Sequence, residues 1–157
     1  MLMLAKADVQ KLLRFEPLMD GLAEGFCQAS AGLGSIPDRI AADAKNGLVA
    51  AMPFCQPGFA NGAKLMTVNP RNQEQGLDYH YGLLCLFDEE DGRPIAVMDA
   101  TWLTEFRTAA VSALTARLLA AEDSKVLAII GSGVQARSHL HLFPKLRDIV
   151  EIRVFSN

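Results

Sequence analysis

The sequence predicts an α/β fold in two parts: an α+β domain over residues 1–122, then over 123–157 the first strand–helix–strand unit of a parallel sheet. Three features carry that prediction. Short strand-like segments separated by turn residues fill the middle of the chain, an unbroken helical pattern runs over 101–119, and a short apolar run with a glycine turn follows it. Half of the 157 residues are apolar and 21% are charged, which excludes a disordered chain. With 18 acidic and 15 basic side chains and a net charge of −3, there is no basic stripe for a phosphate backbone, so nucleic acid is not expected as a partner. The apolar start Met1–Ala5 is interrupted by Lys6, Asp8 and Lys11 before a signal-peptide core or a membrane span is reached. A cytoplasmic protein acting on a small molecule is expected.

In the first quarter Asp8 is a candidate cap for a short turn, Pro17 suits a first helical turn, and Leu18, Leu22, Phe26 and Ala29 make one apolar face. The segment from Ala31 to Pro37 breaks that helix. Strands are expected over Arg39–Ala42, Leu48–Met52, Ala63–Val68, Tyr81–Asp88 and Ile95–Asp99, separated by Pro57-Gly58, Asn61-Gly62, Asn69-Pro70 and Asp91-Gly92. A long helix should run from Thr101, its candidate cap, to Leu119, because Leu103, Phe106, Ala110, Ala113 and Leu114 keep helical spacing with no Pro or Gly between them. Val126–Ile130, bounded by charge and glycine, reads as a buried parallel strand; a helix over Arg137–Phe143 and a strand over Val150–Phe155 follow.

Between that first strand and helix lies Gly131-Ser132-Gly133-Val134-Gln135-Ala136, a G-x-G-x-x-A loop in the place where a Rossmann domain binds a dinucleotide. Gly131 permits the tight turn, Gly133 lets the backbone approach a pyrophosphate, and Ala136 is small enough for helix and strand to pack closely. The amides of Gly131, Ser132, Gly133, Val134 and Gln135, with the helix dipole, then hold the anion. No Gly-Lys-Ser/Thr follows, which excludes a Walker-type loop. The second strand ends Val154-Phe155-Ser156-Asn157, with Ser156 standing 23 residues after Gly133. An NAD-selective domain carries a carboxylate there for the ribose hydroxyls, and none is present. Ser156 and Asn157 can donate to a 2′-phosphate, so NADP(H) is expected over NAD(H).

Three cations stand near apolar positions. Lys64 shares a strand face with Met66 and Val68 by period-two alternation, and Arg107 borders the apolar stripe of the long helix, where it should not be freely solvated. Arg39 opens the strand region and locally resembles any surface arginine. From pattern alone a structural salt bridge or a snorkelling side chain explains each.

Their company changes that reading. Pro37-x-Arg39, Met52-Pro53, Gly62-Ala63-Lys64-x-x-x-Val68-x-Pro70, Asp99-Ala-Thr101-x-Leu103-Thr104-x-x-Arg107-Thr108-Ala109-Ala110-x-Ser112-Ala113 and the glycine loop occur in one order over nearly the whole chain. In this the sequence resembles the ornithine cyclodeaminase/μ-crystallin family. The resemblance implies an NAD(P)-dependent oxidoreductase of an α-amino or α-imino acid, usually a homodimer assembled through the amino-terminal domain. It implies that Arg39, Lys64 and Arg107 bind the substrate carboxylate and that Thr108 contacts cofactor phosphate. Family proteins are about twice this long, with the catalytic aspartate at a position beyond Asn157, so the chain is read as an amino-terminal fragment with no catalytic residue of its own.

Cyclodeaminases of the family carry a glutamate near the position of Ala50, which cannot transfer a proton. That departure favours reduction of a ketimine or cyclic imino acid, or the reverse amino-acid oxidation. The alternatives are ammonia-releasing ornithine cyclisation and a non-catalytic NADP-dependent binding protein.

Other candidates read as structural. Cys27, Cys55 and Cys85 have no C-x-x-C spacing and are expected to be small buried hydrophobes. His139 and His141, two apart, point to different faces of a helix, and no metal is assigned. The acidic run Asp88–Asp91 is read as a solvated turn, His80 as a packed or surface histidine, and Trp102 as a packing anchor.

Overall fold

The computed structural model describes residues 1–156, so Asn157, a candidate cofactor contact, lies outside the described residues. They gather into two compact units, one made of Met1–Leu12 with Phe26–Leu103, the other of Leu13–Gly25 with the residues from Thr104 onward.

The first unit is built on a six-stranded sheet ordered β1-β6-β5-β4-β3-β2. Its strands are β1 (Leu2–Leu4), β2 (Ile40–Ala44), β3 (Gly47–Gln56), β4 (Ala60–Val68), β5 (His80–Phe87) and β6 (Pro94–Asp99). All neighbours are antiparallel except β1, which lies parallel to β6. The apolar start of the chain, too short for a periodic signal, therefore forms an edge strand that sequence reading missed. Helix α1 (Lys6–Leu12) follows it. Asp8 sits inside the first turn of α1 and its carboxylate accepts from the Ala5 amide, so it reaches back to the cap instead of being the cap.

Two further corrections concern the strands. Asn61-Gly62 is not a turn: both residues lie within β4, paired with Cys55 and Phe54, and β3 runs on to Gln56. Phe54 explains the glycine, since a Cβ at Gly62 would come within 2.6 Å of its ring and of the Cys85 carbonyl oxygen. After Asn69, whose side chain accepts from the Arg71 amide, the chain makes a 3₁₀ turn over Pro70–Gln75.

The acidic run closes the β5–β6 connection as a turn. The Asp88 carboxylate accepts from the Glu90 and Asp91 amides and pairs with Arg93. Those amides first, then Arg93, hold its pKa below the usual carboxylate value. That contribution is present above the unfolded pKa and fades as pH falls through the lower folded value.

Helix α2 (Phe15–Ser30) buries Phe15 and Met19, whereas Phe26, expected on its apolar face, is 51% exposed. The buried stripe starts one turn earlier than the Leu18 series implies. Helix α3 (Thr101–Leu119) has the predicted limits, but its start is capped by Asp99, whose carboxylate accepts from the Trp102 amide. Thr101 is buried, and its hydroxyl oxygen accepts from the Gly82 amide of β5. Cys27 and Cys55 are exposed and Cys85 half-buried, contrary to the reading of all three as buried; Cys55 lies on the outward face of β3.

In the second unit β7 (Val126–Ile130) and β8 (Glu151–Phe155) pair in parallel, joined by α4 (Val134–Leu146). The parallel pairing is as predicted, yet β7 is not buried: Ile130 is 90% exposed, because two strands and one helix leave a flank of the pair uncovered. Arg147, just past α4, donates to the carbonyl of Ala116 in the last turn of α3 and to those of Ala120 and Glu122 beyond it, which fastens the two helix ends together. Among the described residues no helix is long and apolar enough to cross a membrane, and no group of three His, Cys, Asp or Glu residues is placed to hold a metal ion.

Candidate dinucleotide site

Gly131 follows β7 with φ at 105°, a left-handed conformation that favours glycine, and its amide donates to the Phe155 carbonyl at 2.7 Å. That bond ties the loop to the end of β8. Beside it the hydroxyls of Ser132 and Ser156 lie 2.9 Å apart, so the two serines singled out for the cofactor form one polar pair at the carboxyl ends of the parallel strands. Open parallel sheets bind ligands at that end.

Gly133 caps α4 with φ −75° and ψ −169°, a conformation open to any residue, and a Cβ there would meet nothing within 4 Å. Neither backbone nor packing requires a glycine at 133. No side chain caps the helix either, so the first-turn amides of α4 are left for another acceptor. Ser132, Gly133, Val134 and Gln135 are all exposed. The arrangement suits a phosphate group on general grounds: free amides, a positive helix end and space where a side chain would stand.

Thr108, the other proposed phosphate contact, is half-buried on α3 and donates its hydroxyl proton to the Thr104 carbonyl at 2.6 Å. Its oxygen can accept, but it must rotate to donate to a phosphate.

The cations divide between the units. In the first, Lys64 is half-buried in β4 on the face of Met66 and Val68, opposite Met52 on one side and Leu84 on the other. Arg39, exposed, immediately precedes Ile40, whose partner is Ala51. In the second unit Arg107 is exposed on α3, so bordering the apolar stripe does not withdraw it from solvent. His139 and His141 do not converge: His139 bonds Ser112, and His141 accepts from Lys145. The Ser112 contact has no signal in one sequence, since it joins residues 27 positions apart on different helices.

The motifs of the Ornithine cyclodeaminase/mu-crystallin family match residues 1–157. The chain belongs to that family. An alanine dehydrogenase of Archaeoglobus fulgidus is 32% identical over 154 residues, 98% of this chain and 48% of that protein. A structure of an archaeal alanine dehydrogenase dimer with bound NAD superposes with a TM-score of 0.91 at 32% identity, over 99% of this chain and 48% of that one. The Thermococcus litoralis Δ1-pyrroline-2-carboxylate reductase, in complex with NADH and L-proline, gives 0.91 at 31% identity over 99% and 49%. Curated relatives also include proteins named ornithine cyclodeaminase and ketimine reductase mu-crystallin. The chain thus spans about half the length of the alanine dehydrogenase and of both structures, and each of those two structures holds a nicotinamide dinucleotide.

Filling the open space at Gly133 tests whether a ligand uses it. Gly133→Val should lower stability in urea by no more than about 1 kcal/mol while weakening NADPH or NADH binding, followed by nicotinamide fluorescence, by about tenfold or more. Undiminished binding would show that the dinucleotide passes elsewhere.

Proposed function

We propose that the protein to which this chain belongs transfers hydride from NAD(P)H to the imino carbon of a ketimine or cyclic imino acid, or runs the reverse amino-acid oxidation. The observation that carries the cofactor part is Gly133, a glycine that the fold does not need, at the uncapped start of α4. In this reading residues 1–122 bind substrate and dimerise, and 123–157 begin the Rossmann domain. The amides of Ser132, Gly133, Val134 and Gln135 hold the pyrophosphate, Gly131, whose own amide is engaged by Phe155, supplies the turn that presents them, and Thr108 turns its hydroxyl to a phosphate oxygen. The cofactor, when bound, supplies the hydride. Arg39, Lys64 and Arg107 grip the substrate carboxylate, the two guanidinium forks fixing its plane and the ammonium adding charge, so that the α-carbon is held for attack. Reduction over cyclisation is supported by Ala50, which is 2% exposed on the same face of β3 as Met52 and carries no group able to move a proton. The two exposed free thiols, Cys27 and Cys55, fit a reducing cytoplasm.

The full reading frame should therefore oxidise NADPH with Δ1-pyrroline-2-carboxylate and release no ammonia from ornithine; the opposite pair of results would favour a cyclodeaminase, and neither turnover a binding protein. Arg107→Lys should raise the substrate KM by an order of magnitude or more, equivalent to about 1.5–3 kcal/mol for a charge-assisted contact. Lys64→Met should fold and bind substrate weakly, whereas full activity in either variant removes that residue from the clamp.

NADP(H) is favoured over NAD(H) because β8 is followed by Ser156, paired with Ser132, with no carboxylate there to repel a 2′-phosphate. Both solved relatives named above carry NAD or NADH, so the comparison of kcat/KM for the two cofactors is direct. The wild type should prefer NADPH, and Ser156→Asp should weaken or reverse that preference; a wild type that prefers NADH would give Ser156 a different role.

The homodimer is proposed to form on the outer face of the six-stranded sheet. Val49, Leu65, Tyr81 and Leu83 lie on that face of three adjacent strands, all exposed, around a groove of about 310 Å³. Monomeric proteins rarely leave so continuous an apolar surface in water, and a second copy of the same face offers matching chemistry. Light scattering should give twice the chain mass for the wild type and a monomer for Leu65→Glu with Leu83→Glu. A dimer that survives both changes uses another surface.

A further inference from the structure

One histidine is engaged at both ring nitrogens, and none of the roles above uses it. His139, in the second turn of α4, places Nδ1 2.7 Å from the Gln135 carbonyl oxygen and Nε2 2.9 Å from the Ser112 hydroxyl on α3. A carbonyl can only accept, so the proton of the neutral ring sits on Nδ1 and Nε2 presents a lone pair. Ser112 must then donate its proton to Nε2. Its other neighbour, the Thr108 carbonyl, is more distant at 3.4 Å. The ring also stacks on Phe143, with centroids 5.9 Å apart and planes inclined by 21°, which holds its rotamer.

Imidazole fixed at both nitrogens and one face acts as a rigid strut. At one end is Gln135, inside the glycine-loop motif and in the first turn of α4, whose amides are uncapped. At the other is Ser112, one helical turn after Thr108 on α3. The far end of α4 is tied separately, by Arg147 to the Ala116 carbonyl in the last turn of α3 and the Ala120 carbonyl just past it. With its two ends tied independently, α4 cannot slide or pivot against α3 without breaking one of the bonds.

We infer that His139, through Ser112, is a positioning residue for the dinucleotide: it fixes the amino end of α4, and with it the loop amides, relative to Thr108. The inference rests on the dinucleotide reading given above. It touches no reacting atom, so its loss should appear in cofactor affinity and not in the chemical step.

The test uses the protein from its complete reading frame, with NADPH and NADH as probes. His139→Phe keeps a ring to stack on Phe143 but removes both hydrogen bonds; Ser112→Ala removes one partner; His139→Gln supplies an amide oxygen where Nε2 stood; His139→Asn reaches only as far as Nδ1. The cofactor Kd and KM should rise about three- to tenfold in His139→Phe and Ser112→Ala. The double variant should be no worse than either single one, because both break the same bond. Substrate KM, and kcat at saturating cofactor, should change by less than about twofold. His139→Gln should restore cofactor affinity and His139→Asn should not. A merely structural histidine predicts instead that all four variants lose thermal stability with cofactor KM unchanged, or that kcat and both KM values drift together, and either result overturns the inference. A wild type that binds neither dinucleotide overturns the dinucleotide reading and this inference with it, whereas tight binding that is indifferent to His139 overturns this inference alone.

Discussion

The pairing of Met52 with Lys64 and of Lys64 with Leu84 is the constraint on which both faces of the six-stranded sheet depend. Side chains alternate along a strand, so a slip of one residue between β3 and β4 would carry Lys64 to the outer face and bring Leu65 inward. Bulk enforces the register. Phe54 lies across from Gly62 and leaves no room for a Cβ there, and Gly82 faces Ala100 with a Cβ's space already closed to 3.3 Å. Large and small residues therefore meet in one alignment only, and a cation is delivered to the face on which Ala50, Gly62 and Gly82 are buried.

The same alternation makes the opposite face apolar and wet. Nothing in the packing of this sheet requires Val49, Leu65, Tyr81 and Leu83 to be large and hydrophobic, since each is substantially exposed. Their cost to solubility is balanced only if water is excluded from them in another way. In the proposed function the ligand chemistry and the association chemistry fall on alternate residues of the same strands, so one register governs both.

Much of this was legible in the sequence for a physical reason. Helix α3 has a long alanine-rich pattern without Pro or Gly and keeps its predicted limits, and the strand–glycine loop–helix–strand order holds, although α4 starts three residues before the expected Arg137 and continues through Pro144 to Leu146. The errors came where a residue's partner is distant in sequence. Thr101 has the chemistry of a helix cap, yet its hydroxyl oxygen serves an amide 19 residues away while Asp99 does the capping. Asn61-Gly62 is strong turn chemistry, but Phe54 on the next strand needs the glycine's empty side. Cysteine is most often buried, and here α2 and β3 turn two of the three outward. In the candidate site the loop glycines were legible because backbone geometry demands or tolerates them locally. The partner of His139 is not legible in this way, since spacing along one helix cannot reveal a serine on another.

Gly82 gives both of its backbone groups to the start of α3: its amide donates to the Thr101 hydroxyl at 3.0 Å, and its carbonyl accepts from the Ala100 amide at 2.8 Å. These two bonds form a closed ring between the middle of β5 and the first residues of the helix. Neither amide can reach solvent unless the ring opens, and opening it frees both. Exchange with deuterium at Gly82 and Ala100 should accordingly be slow and concerted, so that two residues 18 positions apart serve as a single clock for the release of Ala100 and Thr101 from β5.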